Sequence, residues 1–227
     1  MSHFFFYIIE PISYTLYFIG FLFLFLKIER KLRYLILIAY SLVCTALMIR
    51  ATIRLDSNTS NTYLYNILYL ITSLAFGFYF FEILKNQWKR LVALIAGLSV
   101  LIYYFINIKE VYFDSIGFVI TSTGIIVLIF LFLDQIMTNV TEEPLFNNFD
   151  FWFICVQLMY HLGSFAIFLS YNYYTHRFFS EGSSDSFSRM MGYLWVVHNI
   201  LLFVGSVITC AGVFWIYYRK KKISQHV

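Results

Sequence analysis

Seven apolar runs, each long enough to cross a bilayer, decide what this chain can fold into. They cover residues 9–26, 32–51, 63–84, 91–108, 116–137, 151–170 and 191–218. A spanning helix needs about 20 mainly apolar residues. The breaks between the runs are polar: "KIERKLR", "RLDSNTSN", "KNQWKR", "KEVYFDS", "TNVTEEPLFNNFD" and "YNYYTHRFFSEGSSDSFSR". The predicted fold class is therefore an all-α membrane protein, a bundle of seven transmembrane helices. Residues 1–227 form a single domain with short loops and a basic cytoplasmic tail.

Composition supports this reading. Only 12% of residues are charged, about half the share of an ordinary soluble domain, and mean hydropathy is +0.76. The net charge of +4 is no nucleic-acid signal, because it is spread over the breaks between spans. Its distribution sets direction instead. With the C-terminus in the cytoplasm, eleven of the sixteen Lys and Arg residues lie inside. The predicted topology is N-terminus out, C-terminus in. The first run has no basic n-region and no small-residue cleavage site, so it is read as a retained span. The breaks at residues 141–150 and 171–189 are expected to be the longer loops. Cys44, Cys155 and Cys210 are odd in number, widely spaced and apolar in setting, which is no disulfide framework.

Helical spacing places polar and small residues on stripes. In the seventh span the stripe is Trp195, His198, Asn199, Leu202, Gly205, Ser206, Thr209 and Gly212. The sixth carries Gln157, Tyr160, His161 and Ser164. The third carries Tyr65, Asn66, Tyr69, Ser73 and Gly77. The fifth carries Gly117, Thr121 and Gly124, and the first contributes Glu10, Tyr14 and Tyr17. Such stripes let membrane helices approach closely and hydrogen-bond to one another. They also outline a candidate ligand site. By depth, His198, Asn199, Asn66, Tyr69, Glu10 and Arg50 fall in the outer half, with His161 and Gln157 nearer the middle. A charged side chain at the bilayer centre costs about 2.5–3.5 kcal/mol on insertion scales, and a position near the outer interface lowers that cost for Glu10 and Arg50 and lets them pair.

Reaction motifs give little. The last span has no lysine for a retinal Schiff base until Lys220, beyond the membrane. No HExxH-like cluster suggests a zinc site. Ser164 and His198 could form a nucleophile–base pair, but the surrounding pattern is not that of the rhomboid proteases. No catalytic residue, metal or cofactor is assigned.

The stretches "YLYNILYLITSLAFGFYFF", "FWFICVQLMYHLGSFAIFL" and "LWVVHNILLFVGSVITCAGVFW" resemble a group of small seven-span membrane proteins of the Bacteroidota. That likeness implies a multi-pass protein of a bacterial cytoplasmic (inner) membrane. It also implies a sensory or accessory module, with a separate histidine kinase or other membrane protein as partner. The leading expectation is a non-enzymatic protein that binds a small molecule or membrane lipid in an outer-half polar pocket and contacts a signalling partner. The alternative is a small-solute transporter or channel, with an intramembrane enzyme third. A carrier built on broken helices is disfavoured, because Pro11 and Pro144 both lie away from span centres.

Overall fold

A computed structural model describes residues 8–54, 62–107, 114–138, 145–181 and 185–224. Among the described residues there are seven α-helices and no strand. They are α1 (Glu10–Lys27), α2 (Leu32–Arg54), α3 (Thr62–Ile83), α4 (Gln87–Asn107), α5 (Ser115–Thr138), α6 (Phe149–Glu181) and α7 (Asp185–Ser224), with a 3₁₀ turn at Leu145–Asn147 before α6. All seven contain a segment long and apolar enough to cross a membrane. This is a multi-pass helical bundle.

Side chains start several of the helices. Asn86 Oδ1 accepts from the Trp88 amide at the head of α4, and Asn148 Oδ1 accepts from the Asp150 amide at the head of α6, both at 2.9 Å. Asp114 Oδ1 does the same for the Gly117 amide of α5 at 2.9 Å. Each satisfies an N–H that the first helical turn leaves without an internal partner.

Consecutive helices pack in order around a closed ring, and α1 completes it against α7. α3 also touches α5 across the ring and is the most enclosed helix, while α4 is the least. The closest backbone approach argued from glycine lies between α3 and α4. A Cβ on Gly77 would sit 3.2 Å from the Ala93 carbonyl oxygen and 3.3 Å from the Gly97 Cα.

Two sequence expectations need correction. The break at residues 171–189 is largely helical, because α6 and α7 run past the spans. Their 33 and 40 residues correspond to about 50 and 60 Å, well beyond a hydrocarbon layer of about 30 Å. The tip at 182–184 lies outside the described residues. The polar stripe of α7 also stops earlier than its spacing suggested. His198, Asn199, Leu202, Ser206 and Thr209 are buried, but a Cβ on Gly212 would meet nothing within 4 Å. The buried face continues instead through Val213 and Ile216.

Candidate functional site

The polar stripes of α1, α6 and α7 converge on one buried column. At its top, Glu10 is 3% exposed in the first turn of α1. The Tyr65 hydroxyl donates to Glu10 Oε2 at 3.0 Å, and the Asn199 side chain hydrogen-bonds to the same carboxyl. Glu10 Oε1 has no hydrogen-bond partner. Among the described residues no cation pairs with this carboxyl. The helix start helps, since the positive end of the α1 dipole favours an acidic group there.

Next to Asn199 on α7, His198 is held on both ring nitrogens. Ser164 Oγ lies 3.1 Å from Nδ1 and the Tyr160 hydroxyl 3.3 Å from Nε2. A neutral imidazole has one donor and one acceptor, so one hydroxyl gives a proton to the ring and the other receives one. Trp195 stacks on the ring at 5.3 Å, and Phe168 and Phe118 meet it edge-on. His161 is 1% exposed, with Nδ1 3.4 Å from Ser122 Oγ and Nε2 without a partner. At the foot of the column, Gln157 Nε2 donates to the Tyr17 hydroxyl at 3.2 Å.

Beneath Gln157 the polar character ends. Phe21, Phe76, Phe149 and Phe153, all buried, form an aromatic layer: Phe153 meets the edge of Phe21 at 5.3 Å and stacks on Phe76 and Phe149 at 5.9 and 5.8 Å. On its far side lies a second polar layer. Arg33 Nε and Nη2 donate to Asp150 Oδ1 and Oδ2 at 3.2 and 2.7 Å, a forked pair. The Tyr79 hydroxyl donates to Asp150 Oδ1 at 2.9 Å, and Arg33 Nη2 also reaches the Tyr34 hydroxyl. Arg33, Asn148 and Asp150 line both of two cavities at this end, of about 240 and 300 Å³.

The structure brings together five of the eight sequence candidates: Glu10, Asn199, His198, His161 and Gln157. Asn66 and Tyr69 turn to a neighbouring cluster centred on Asp114. Asn66 Oδ1 accepts from the Asp114 amide at 3.0 Å, while the Tyr69 and Tyr103 hydroxyls donate to its carboxylate at 2.9 and 3.1 Å. Gly117 leaves room for this cluster, since a Cβ there would lie 2.6 Å from Asp114 Oδ2 and 2.7 Å from the Tyr69 oxygen. The Phe118 and Phe168 rings separate it from His198. Arg50 is exposed on the surface of α2, and Glu10 takes Tyr65 and Asn199 as partners. Matching residues by depth alone ignored where the helices face.

Sequence reasoning missed Asp114, Asp150 and Arg33. Both acids sat in stretches read as loops. For Asp114 the signal was the "DSIG" start of an apolar run, an N-cap pattern. For Asp150 it was the "NNFD" sequence ahead of "FWFI", where an Asn cap puts the acid inside the first turn.

Among the described residues no three metal-ligating side chains cluster. No family model, no curated protein and no solved structure matches this chain.

Proposed function

We propose that this protein is a non-catalytic membrane sensor or accessory module. Its polar column recognises the polar head of a small molecule or lipid, and its opposite end contacts a separate signalling protein. The observation that carries the reading is a pair of buried atoms without partners: Glu10 Oε1 and His161 Nε2. A buried polar atom left unpaired costs about 1–3 kcal/mol, so a column that keeps two of them is suited to receive hydrogen bonds from outside the chain. The excess of basic residues at the Arg33 end favours that end in the cytoplasm and the Glu10 end outside; on this reading the membrane is a bacterial inner membrane and a histidine kinase is the partner. The aromatic layer supports sensing over transport, since it puts packed apolar rings between the Gln157 end of the column and the Arg33 cluster.

The test is purification from native membranes followed by native mass spectrometry, wild type beside Glu10→Gln. The wild type should retain a polar small molecule or a defined lipid that the variant loses, and a kinase or other membrane protein should co-purify. Indistinguishable bound species in the two proteins would refute the site. Reporter fusions after Arg90 and Val227 should report cytoplasm, and one after Ser183 the outside. A cytoplasmic signal at Ser183 would reverse the assignment of ends.

A second reading rests on the 3.1 Å contact between Ser164 Oγ and His198 Nδ1, the starting geometry for a serine nucleophile with a histidine base. It predicts that a fluorophosphonate probe labels Ser164. No labelling, or equal labelling of Ser164→Ala, removes it.

A further inference from the structure

The smaller cavity at the Arg33 end, about 240 Å³, lies where α1 ends, α2 begins, the 3₁₀ turn leads into α6, and the tail of α7 passes. Its floor is apolar, with Leu24, Phe149 and Ile216. Its walls carry Lys31, Arg33, Arg219 and Lys220 against Glu29 and Asp150. Four cations against two carboxylates leave a formal excess of two positive charges. The carboxylates are already engaged. Asp150 takes the fork of Arg33, and Glu29 is shared between Lys31 and Lys220. Arg219 gets none: its Nη1 donates to the Asn147 side-chain oxygen at 2.5 Å and its guanidinium lies 5.9 Å from the centre of the Trp215 ring. A neutral amide oxygen offers no countercharge, and a guanidinium fork has five donors to place.

An anion with several acceptor oxygens would complement this excess of donors. We propose that this cavity binds a phosphate group, held by Arg219 together with Lys31 and Lys220, and so ties the tail of α7 to the turn between α1 and α2. Planar, forked donors suit phosphate oxygens, and lysines add charge without strict geometry. The volume lies below the roughly 300–1,000 Å³ of pockets that enclose whole drug-sized ligands, so it suits one phosphate and the few atoms attached to it. That phosphate belongs either to an anionic phospholipid or to a soluble ion. The site is separate from the Glu10–His198 column and does not depend on it.

The test uses the full chain, delipidated in a neutral detergent. Its thermal unfolding midpoint is followed against inorganic phosphate, dioctanoyl phosphatidylglycerol and dioctanoyl phosphatidylcholine, with sodium chloride matching ionic strength. The midpoint should rise with phosphate or phosphatidylglycerol beyond the chloride and phosphatidylcholine controls. A response to phosphatidylglycerol alone identifies a lipid headgroup as the source, and a response to both identifies a general phosphate site. Arg219→Gln and, independently, Lys220→Gln should weaken the apparent affinity at least tenfold. Lys222→Gln, an exposed lysine outside the cavity lining, should leave it unchanged. Three results would each overturn the proposal: no shift above chloride, an equal shift with phosphatidylcholine, or undiminished affinity in both cavity variants.

Discussion

Removing one side of the Arg33–Asp150 pair should be among the most damaging single changes in this protein. The two residues come from α2 and α6, and Tyr79 of α3 adds a third helix to the same carboxylate. The Asp150 side chain is 7% exposed and that of Arg33 19%, so neither charge is well hydrated once its partner is gone. Breaking a buried pair costs about 3–5 kcal/mol. The partial exposure of Arg33 places Asp150→Leu near the lower end, at about 3 kcal/mol. Arg33→Met leaves the carboxylate with the Tyr79 hydroxyl alone and should cost about 3–4 kcal/mol. The double variant removes both charges together and should cost far less than the two singles combined, about 1–2 kcal/mol, because no lone charge remains. Denaturant titration in mixed micelles, followed by the far-ultraviolet helix signal, measures all four proteins. Single variants within about 1 kcal/mol of wild type, or additive losses in the double, would show that the pair is solvated and that its burial has been misread.

Gly77→Val should destabilise by about 1–3 kcal/mol through overpacking, since backbone atoms of α4 stand 3.2–3.3 Å from the new Cβ; Gly212→Leu, with nothing within 4 Å, should stay within about 0.5 kcal/mol in the same titration. His198→Phe removes the ring that serves both Ser164 and Tyr160 and should cost about 1–3 kcal/mol, whereas His161→Phe gives up the weaker 3.4 Å contact and should cost less while losing the retained ligand; a reversed order would place the structural role at His161. Burial pushes the Glu29 carboxyl up, but hydrogen bonds and charge from Lys31 and Lys220 outweigh it and hold the group below the ordinary glutamate range. A depressed carboxyl contributes stability above its unfolded pKa, about 4.3, and that contribution is lost as pH falls through the lower folded value. The acid limb of thermal stability below about pH 4.3 should therefore be shallower in Lys220→Gln than in wild type; identical limbs would show that the contact contributes nothing.

The helix count was legible because a bilayer imposes a length, and the runs of about 20 apolar residues satisfied it one by one. The facing of most stripes was legible for a related reason. His198, Asn199, Ser206 and Thr209 recur at helical spacing, and lipid accepts none of them. Gly212 misled because glycine fits an open position as easily as a close contact, so only its neighbours decide. Asp150 and Asp114 were hidden by the same rule that found the spans: hydropathy assigns a charged residue to a loop, whereas Asp114 is itself the cap of α5 and the Asn148 cap draws Asp150 into the first turn of α6. Arg50 and Glu10 matched in depth but face different ways, which spacing within one helix cannot show. The phenylalanines were the other blind spot. Their number, 27, reads as bias in composition, and only packing shows that four of them divide the polar interior.

That division limits how the two ends can communicate. The side chains of Phe21, Phe76, Phe149 and Phe153 have no hydrogen-bonding group to relay a proton, so on the proposed reading a ligand at Glu10 acts on the Arg33 end by another route. Continuous helices can carry the effect. α7 holds His198 and Asn199 in the column and Arg219 and Lys220 at the far cavity, about 30 Å apart along one rigid rod. α1 runs beside it from Glu10 to Lys27, with Phe23 packed between Phe214 and Tyr217 of α7. Helix shifts of about 1–2 Å are enough to switch packed interfaces. A shift of α7 on that scale would move Arg219 against Asn147 and Lys220 against Glu29, contacts of 2.5 and 3.1 Å with little slack. The same movement would change the fit of a phosphate between them. Coupling between the ends then has a measurable form: occupancy of the column should alter phosphate affinity at the cavity by the factor with which phosphate alters the column, because binding linkage is reciprocal.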